Sequence, residues 1–231
     1  MSLHNASVVL AHGAWADGTS WAKIIGPLAA RGVQVFAAQL PLTSFEDDVA
    51  ALDRTLERAA GPVVLVGHAY AGAVIGATRS DKVKALVYVA ALAPDEGETV
   101  ADVFYRGTPH PQAPKLAPDN HGLIYLPETV FASAFAPNAR PEELAILAAV
   151  QRPISPACIS VAVERPLWKD RPAWFLVAEQ DHMIIAENQR FMAARMNARV
   201  RAHSVDHTPL VTAPSLVLDM IDEAIDSVAA D

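Results

Sequence analysis

The sequence predicts an α/β fold: a mainly parallel central sheet flanked by crossover helices, with one small helical insertion. Three observations predict it. Short β-branched or apolar runs recur along the chain, helix-like stretches separate most of them, and the alternation stops over a single proline-rich third of the sequence.

The runs place strands at Ser7–Ala11, Val33–Ala38, Pro62–Val66, Lys84–Ala91, Ala173–Ala178 and Arg199–His203, giving a sheet of six strands or slightly more. Thr19/Ser20 stand before a helix over Trp21–Ala30 with Gly32 beyond its end, and Thr43/Ser44 before one over Phe45–Ala60 with Gly61 closing it. Glu187–Met196 and Ser215–Val228 read as the last two surface helices, with Phe191, Met192, Leu216, Met220 and Ile221 as their buried faces. From Pro94 to Pro172 the rhythm breaks, and twelve of the seventeen prolines fall there. Short helices over Thr99–Tyr105, Leu126–Ala136 and Arg140–Val150 are expected in this stretch. A segment inserted between two core strands belongs over the carboxyl ends of the sheet, where loops of parallel sheets carry the binding site. The expectation is one domain over 1–231 with a helical cap at about 94–172.

Composition removes several function classes. Lys+Arg 18 against Asp+Glu 26 gives a net charge of −8, and no basic cluster exceeds Lys82/Lys84, so no nucleic-acid surface is expected. No apolar run reaches membrane-spanning length, and Met1–Asn5 lacks the pattern of a signal peptide. Cys158 is the only cysteine, which fits a reducing compartment; cytoplasm is the expected location. A small-molecule ligand is the expected partner, with a homodimer left open. His110, His121, His182 and His203 show no metal-binding spacing, so no metal is expected.

Pro62-Val-Val-Leu-Val-Gly-His-Ala-Tyr-Ala-Gly-Ala-Val-Ile reads as strand, sharp turn and helix, the context of a nucleophile elbow whose central side chain projects above the sheet. The central residue is Ala69, so the position that should carry a nucleophile carries a methyl group. Taken alone, the segment is also consistent with an ordinary βα turn. Directly after the first strand, His12-Gly13-Ala14-Trp15 forms a turn whose N–H groups can converge on one point. The N–H of Ala14 and that of Tyr70 are the pair expected to form an oxyanion hole. Asp181 ends a strand in Trp174-Phe-Leu-Val-Ala-Glu-Gln-Asp and is the candidate acid, with Glu179 as competitor. His207, in Val205-Asp-His-Thr-Pro, follows the last strand and is the candidate base, while Asp206 reads as a loop residue. The chain order of elbow, acid and histidine is that of a hydrolytic triad.

The stretches AHGAWADGTSW, VFAAQLPLTSFEDDVAAL, PVVLVGHAYAGAVI, ALVYVAALAPDEGE, WFLVAEQD and VDHTPLVTAP resemble bacterial α/β-hydrolases related to plant methyl-salicylate esterases and hydroxynitrile lyases. The resemblance covers nearly the whole chain and is least specific in the cap. It implies an α/β-hydrolase fold and a small esterase-like or lyase-like enzyme without metal or organic cofactor. By position it assigns Ala69 to the nucleophile station, Asp181 to the acid, His207 to the base, and Ala14 and Tyr70 to the oxyanion hole.

Alanine cannot attack a carbonyl, and losing a triad serine costs about a millionfold in turnover. Three readings follow: an esterase engineered into a substrate trap, native chemistry in which His207 and Asp181 act directly on the substrate, or a binding protein that kept only the pocket. A retained buried acid–histidine pair favours chemistry over pure binding, since burying it costs desolvation. A small, largely apolar ester or carbonyl compound is the expected substrate. Trp15, His68, Tyr70, Leu92, Phe104, Tyr125, Phe131, Phe135 and Trp168 are the expected wall of its pocket. For the side chains of His68 and Tyr70, a packing role is equally consistent with the sequence.

Overall fold

The computed structural model describes residues 6–229. The expectation placed on Met1–Asn5 therefore lies outside the described residues. Six strands form one parallel sheet in the order β2-β1-β3-β4-β5-β6: β1 (Ser7–Ala11), β2 (Gln34–Ala38), β3 (Val63–His68), β4 (Val83–Val89), β5 (Ala173–Ala178) and β6 (Arg199–His203). β1, β3 and β5 are buried along their whole length, as the continuous apolar runs demand of strands covered on both faces. The edge strand β6 is exposed over Arg199–Ala202 and protected by its charges, Arg201 pairing with Glu223. The expected end of β4 at Ala91 is two residues late, because Ala90 turns into the left-handed region at φ +45°.

The nine helices of the described residues are α1 (Ala22–Ala30), α2 (Phe45–Arg58), α3 (Ala71–Ala77), α4 (Val100–Phe104), α5 (Glu128–Val130), α6 (Pro141–Val150), α7 (Ala186–Arg195), α8 (Pro209–Thr212) and α9 (Pro214–Ala229). A 3₁₀ turn, Gly18–Trp21, leads into α1. Its cap is Asp17, not Thr19 or Ser20: Asp17 Oδ1 accepts from both the Thr19 N–H and the Thr19 hydroxyl, so threonine spends its hydroxyl as a donor. Ser44 caps α2 by accepting from the Asp47 N–H at 3.1 Å. Met192, Met220 and Ile221 are buried, but Phe191 and Leu216 are half-buried. Phe191 instead offers its ring face to Arg106 and Arg195.

The segment between β4 and β5 holds α4, α5, a π turn over Phe131–Phe135 that continues α5, and α6. The Trp15 indole donates to the Ile124 carbonyl at 2.9 Å, Ile124 and Ile154 form an antiparallel bridge, and the Ser155 N–H reaches the Leu42 carbonyl at 2.9 Å. Asn188 donates from Nδ2 to the carbonyls of Val103 and Phe104, fastening α4 to α7. Asp206 accepts from the Asn138 N–H and from Thr208 and Thr212, so this buried loop residue ties the segment to the last strand's loop. Among the described residues no helix is long and apolar enough to cross a membrane.

Candidate active site

At the carboxyl ends of β1 and β3 two turns meet. Ala69 follows β3 with φ +50°, a left-handed conformation that costs a residue with a Cβ about 1–2 kcal/mol. The Ala69 N–H donates to the Val89 carbonyl at 3.2 Å and its own carbonyl accepts from Gly72 and Leu92, so the turn is clamped on both sides. Gly13 lies against it: a Cβ there would stand 2.9 Å from the Ala69 Cβ, so only glycine lets the two turns approach this closely. Among the described residues neither the Ala14 N–H nor the Tyr70 N–H has a protein partner, and both residues line the same cavity as Ala69 and His207.

His207 and Asp181 arrive from the ends of β6 and β5. His207 Nδ1 lies 2.8 Å from Asp181 Oδ2, and both side chains are buried. The carboxylate is held from every side. Oδ1 accepts from the N–H groups of Met183 at 2.7 Å and Ile184 at 2.8 Å, and Oδ2 also accepts from Gln189 Nε2 at 2.8 Å. Gln189 is itself fixed by the Ala178 N–H and the Ile184 carbonyl. The imidazole is thereby oriented with Nε2 free of partners among the described residues and His207 on the cavity wall. It can take up or release a proton there, and the neighbouring methyl of Ala69 offers it no nucleophile to activate. Glu179, the competing acid, is exposed and pairs with Arg190.

Two further histidines are locked neutral. His12 accepts from the Leu40 N–H at Nε2, with Nδ1 against the Gly13 carbonyl, and burial lowers its pKa to about 4. His68 places Nε2 2.7 Å from the His207 carbonyl, and burial holds its pKa well below the usual histidine value.

The cavity is lined by Ala14, Trp15, Ala69, Tyr70, Leu92, Val100, Ala101, Phe104, Tyr105, Leu116, Ile124, Ile154, Ile159, Met183, Ile184 and His207, with no aspartate, glutamate, lysine or arginine among them. Of the expected wall, Trp15, Tyr70, Leu92 and Phe104 lie here. Four do not. The His68 ring is buried beneath the imidazole of His207, with ring centroids 4.8 Å apart. Tyr125 is 50 % exposed, because in this extended stretch it is Ile124 that turns inward. Phe131 is buried behind Phe135 in the π turn, and the Phe135 ring in turn meets His207 edge-on at 5.4 Å without lining the cavity. Trp168 packs beside Gly76 of α3, its indole directed at the Pro94 carbonyl.

Four site residues escaped the sequence reading: Ile154 and Ile159 of the aliphatic wall, the anchor Gln189, and Asp48. Asp48 is fully buried, accepts from the Leu42 N–H and the Tyr70 hydroxyl, each at 2.7 Å, and adjoins the Cys158 thiol. Burial pushes its carboxyl pKa up against these hydrogen bonds, and burial pushes the Cys158 thiol up to about 12. Asp48 was legible in principle, since it lies on the buried stripe of α2 with Phe45, Leu52 and Leu56. Among the described residues no group of three or more histidine, cysteine, aspartate or glutamate side chains could hold a metal ion.

No curated protein matches the chain by sequence. Solved structures match it over nearly its full length. A pyrethroid hydrolase from Sphingobium faniae JZ-2 superposes with TM-score 0.82 at 21% identity, covering 98% of this chain and 100% of that one. Polyneuridine aldehyde esterase does so with TM-score 0.81 at 18% identity, covering 95% and 98%. An H243A variant of tomato methylketone synthase I complexed with β-ketoheptanoate gives TM-score 0.80 at 18% identity, covering 96% and 98%. These likenesses establish the shared fold. The family profile described as "Alpha/beta hydrolase family" matches residues 8–220, so this chain belongs to the alpha/beta hydrolase family.

Proposed function

We propose that this chain is a cofactor-free enzyme in which His207, oriented by Asp181, performs acid–base chemistry directly on a small, largely apolar ester or carbonyl compound. The substrate's carbonyl oxygen is received by the N–H groups of Ala14 and Tyr70. One observation carries the reading: the turn keeps its left-handed strain at residue 69, and the His207–Asp181 pair keeps its full set of hydrogen bonds, around a side chain that cannot attack. Strain and a buried acid–histidine pair both cost stability, and a site that only bound ligands would gain nothing from either.

The chemistry follows from the groups present. Charge developing on the carbonyl oxygen is stabilised by the two N–H donors. In an ester, His207 Nε2 removes a proton from water as the water oxygen bonds to the carbonyl carbon. The adduct then collapses, the acyl C–O bond breaks, and His207 gives that proton to the departing alkoxide, leaving acid and alcohol. In a β-keto acid, the C–C bond to the carboxylate breaks, its electron pair becomes the enolate held at those donors, and His207, having taken a proton from solvent, gives it to carbon, leaving the ketone and carbon dioxide. The uncharged wall suits neutral substrates and leaves a bound carboxylate poorly solvated, which favours its loss as carbon dioxide. The bound β-ketoheptanoate named for the tomato relative supports testing this second branch.

The test compares the parent chain, Ala69→Ser and His207→Ala on short-chain p-nitrophenyl esters and β-ketoheptanoate. Turnover by the parent that falls about 10²–10⁴-fold in His207→Ala supports the reading. A parent without turnover whose Ala69→Ser form gains His207-dependent ester hydrolysis overturns it in favour of a serine esterase lacking only its nucleophile. No turnover in any form leaves ligand binding as the function.

A further inference from the structure

Ala14 and Tyr70 sit on different turns, yet an unbroken path joins them through the segment between β4 and β5. Trp15, next to Ala14, donates its indole N–H to the Ile124 carbonyl at 2.9 Å. Ile124 and Ile154 exchange main-chain hydrogen bonds of 2.9 and 3.1 Å. Ser155, next in the chain, donates its N–H to the Leu42 carbonyl at 2.9 Å. The Leu42 N–H donates to Asp48 Oδ1, and Asp48 Oδ2 accepts from the Tyr70 hydroxyl. Trp15 at φ +57°, Leu42 at +61° and Ala69 at +50° are three of the five non-glycine residues with positive φ among those described, and all belong to this path or the turn it ends on. Left-handed backbone persists only where its surroundings over-determine it, and here the surroundings are these hydrogen bonds.

Asp48 is the member that packing alone does not explain. It occupies a core-facing position of α2 where an aliphatic side chain would avoid the cost of burying a carboxyl group, and its hydrogen-bond donors are neutral. We propose that Asp48 is a positioning residue for the oxyanion hole: by holding Tyr70 on one oxygen and Leu42 on the other, it sets the separation of the Tyr70 and Ala14 N–H donors through the docked insertion. Trp15, Tyr70, Ile124 and Ile154 also line the cavity, so a ligand touches the path that aims its own carbonyl. The inference rests on Ala14 and Tyr70 being the donors of the proposed function.

The experiment is isotope-edited infrared spectroscopy of acetophenone, carbon-13 labelled at the carbonyl, bound to the full chain and to Asp48→Ala, Tyr70→Phe and Asp48→Asn, with a melting curve for each. Hydrogen bonding at the donors lowers the carbonyl frequency in the parent. The expected result is a return toward the unbound frequency in Asp48→Ala and Tyr70→Phe. Asp48→Asn should retain the parental frequency, since its amide can still accept from Leu42 and donate to the Tyr70 oxygen. A folded Tyr70→Phe protein with the parental frequency overturns the inference while leaving the proposed function standing. An unshifted band in the parent overturns the donor assignment and the inference together. If Asp48→Ala does not fold, Tyr70→Phe, which removes one hydroxyl at the other end of the contact, decides alone.

Discussion

The ring of His68 hydrogen-bonds through Nε2 to the main-chain oxygen of His207 at 2.7 Å, so the last residue of β3 grips the loop that carries the candidate base. Residue 69 and residue 207 are thus held in register by the neighbour of one and the main chain of the other. His68→Phe preserves the buried volume but leaves the His207 carbonyl without its donor, at a cost of about 1–3 kcal/mol in urea unfolding. In an Ala69→Ser background the same change should lower kcat/KM about tenfold, equivalent to about 1.4 kcal/mol of misplacement.

Gln189 supports the acid from the opposite side. Gln189→Leu removes the bond to Asp181 Oδ2 and strips partners from the Ala178 N–H and the Ile184 carbonyl. The expected loss is about 2–4 kcal/mol by chemical denaturation, larger than for a surface substitution, because buried polar groups are left unpaired. An unchanged midpoint would show that other groups take over these bonds.

Backbone strain at residue 69 predicts an inversion of the usual rule. Glycine in place of alanine normally weakens a regular element, but Ala69→Gly relieves a left-handed alanine and should raise stability by about 0.5–1 kcal/mol. Ala178→Gly, in the buried strand β5, is the control and should lower it.

Acid should weaken the fold through His12. Its folded-state pKa of about 4 lies below the ordinary 6.5, so the unfolded chain binds the proton first. The contribution is complete above about pH 6.5 and is lost as pH falls toward 4, at a cost of about 3 kcal/mol. His68 is shifted in the same direction, whereas Asp48, whose carboxyl pKa is raised, contributes in the opposite sense and favours the fold as pH falls. Urea midpoints between pH 7 and 4.5 should decline in the parent and decline less in His12→Asn, whose amide can accept from Leu40.

Five strands were legible as short apolar or β-branched runs, whereas β6, Arg-Val-Arg-Ala-His, alternates polar and apolar residues; β1, β5 and β6 fall at the residues read from the sequence. The stations of Ala69, Asp181 and His207 were legible because each lies within four residues of a strand's end. The wall was not. Which of Ile124 and Tyr125 turns inward depends on the bridge to Ile154, thirty residues away in sequence and without periodicity to announce it. Phe131 and Trp168 were assigned by aromatic character, yet they fill space behind the site, where large rings pack best. Asp48 was passed over because an acid in the first turn of a helix reads as a partner for the helix dipole, and only its place on the apolar stripe marks it as buried.

The left-handed turn at Ala69 also has an evolutionary meaning. Because the main chain already holds the shape that a nucleophile would need, exchanging alanine for serine asks for one oxygen atom and no rearrangement of the backbone. Alanine and serine codons can differ by a single base. The scaffold therefore stands one mutational step from a serine at this station, and that step can be crossed in either direction while the fold, the cavity and the acid–histidine pair stay in place.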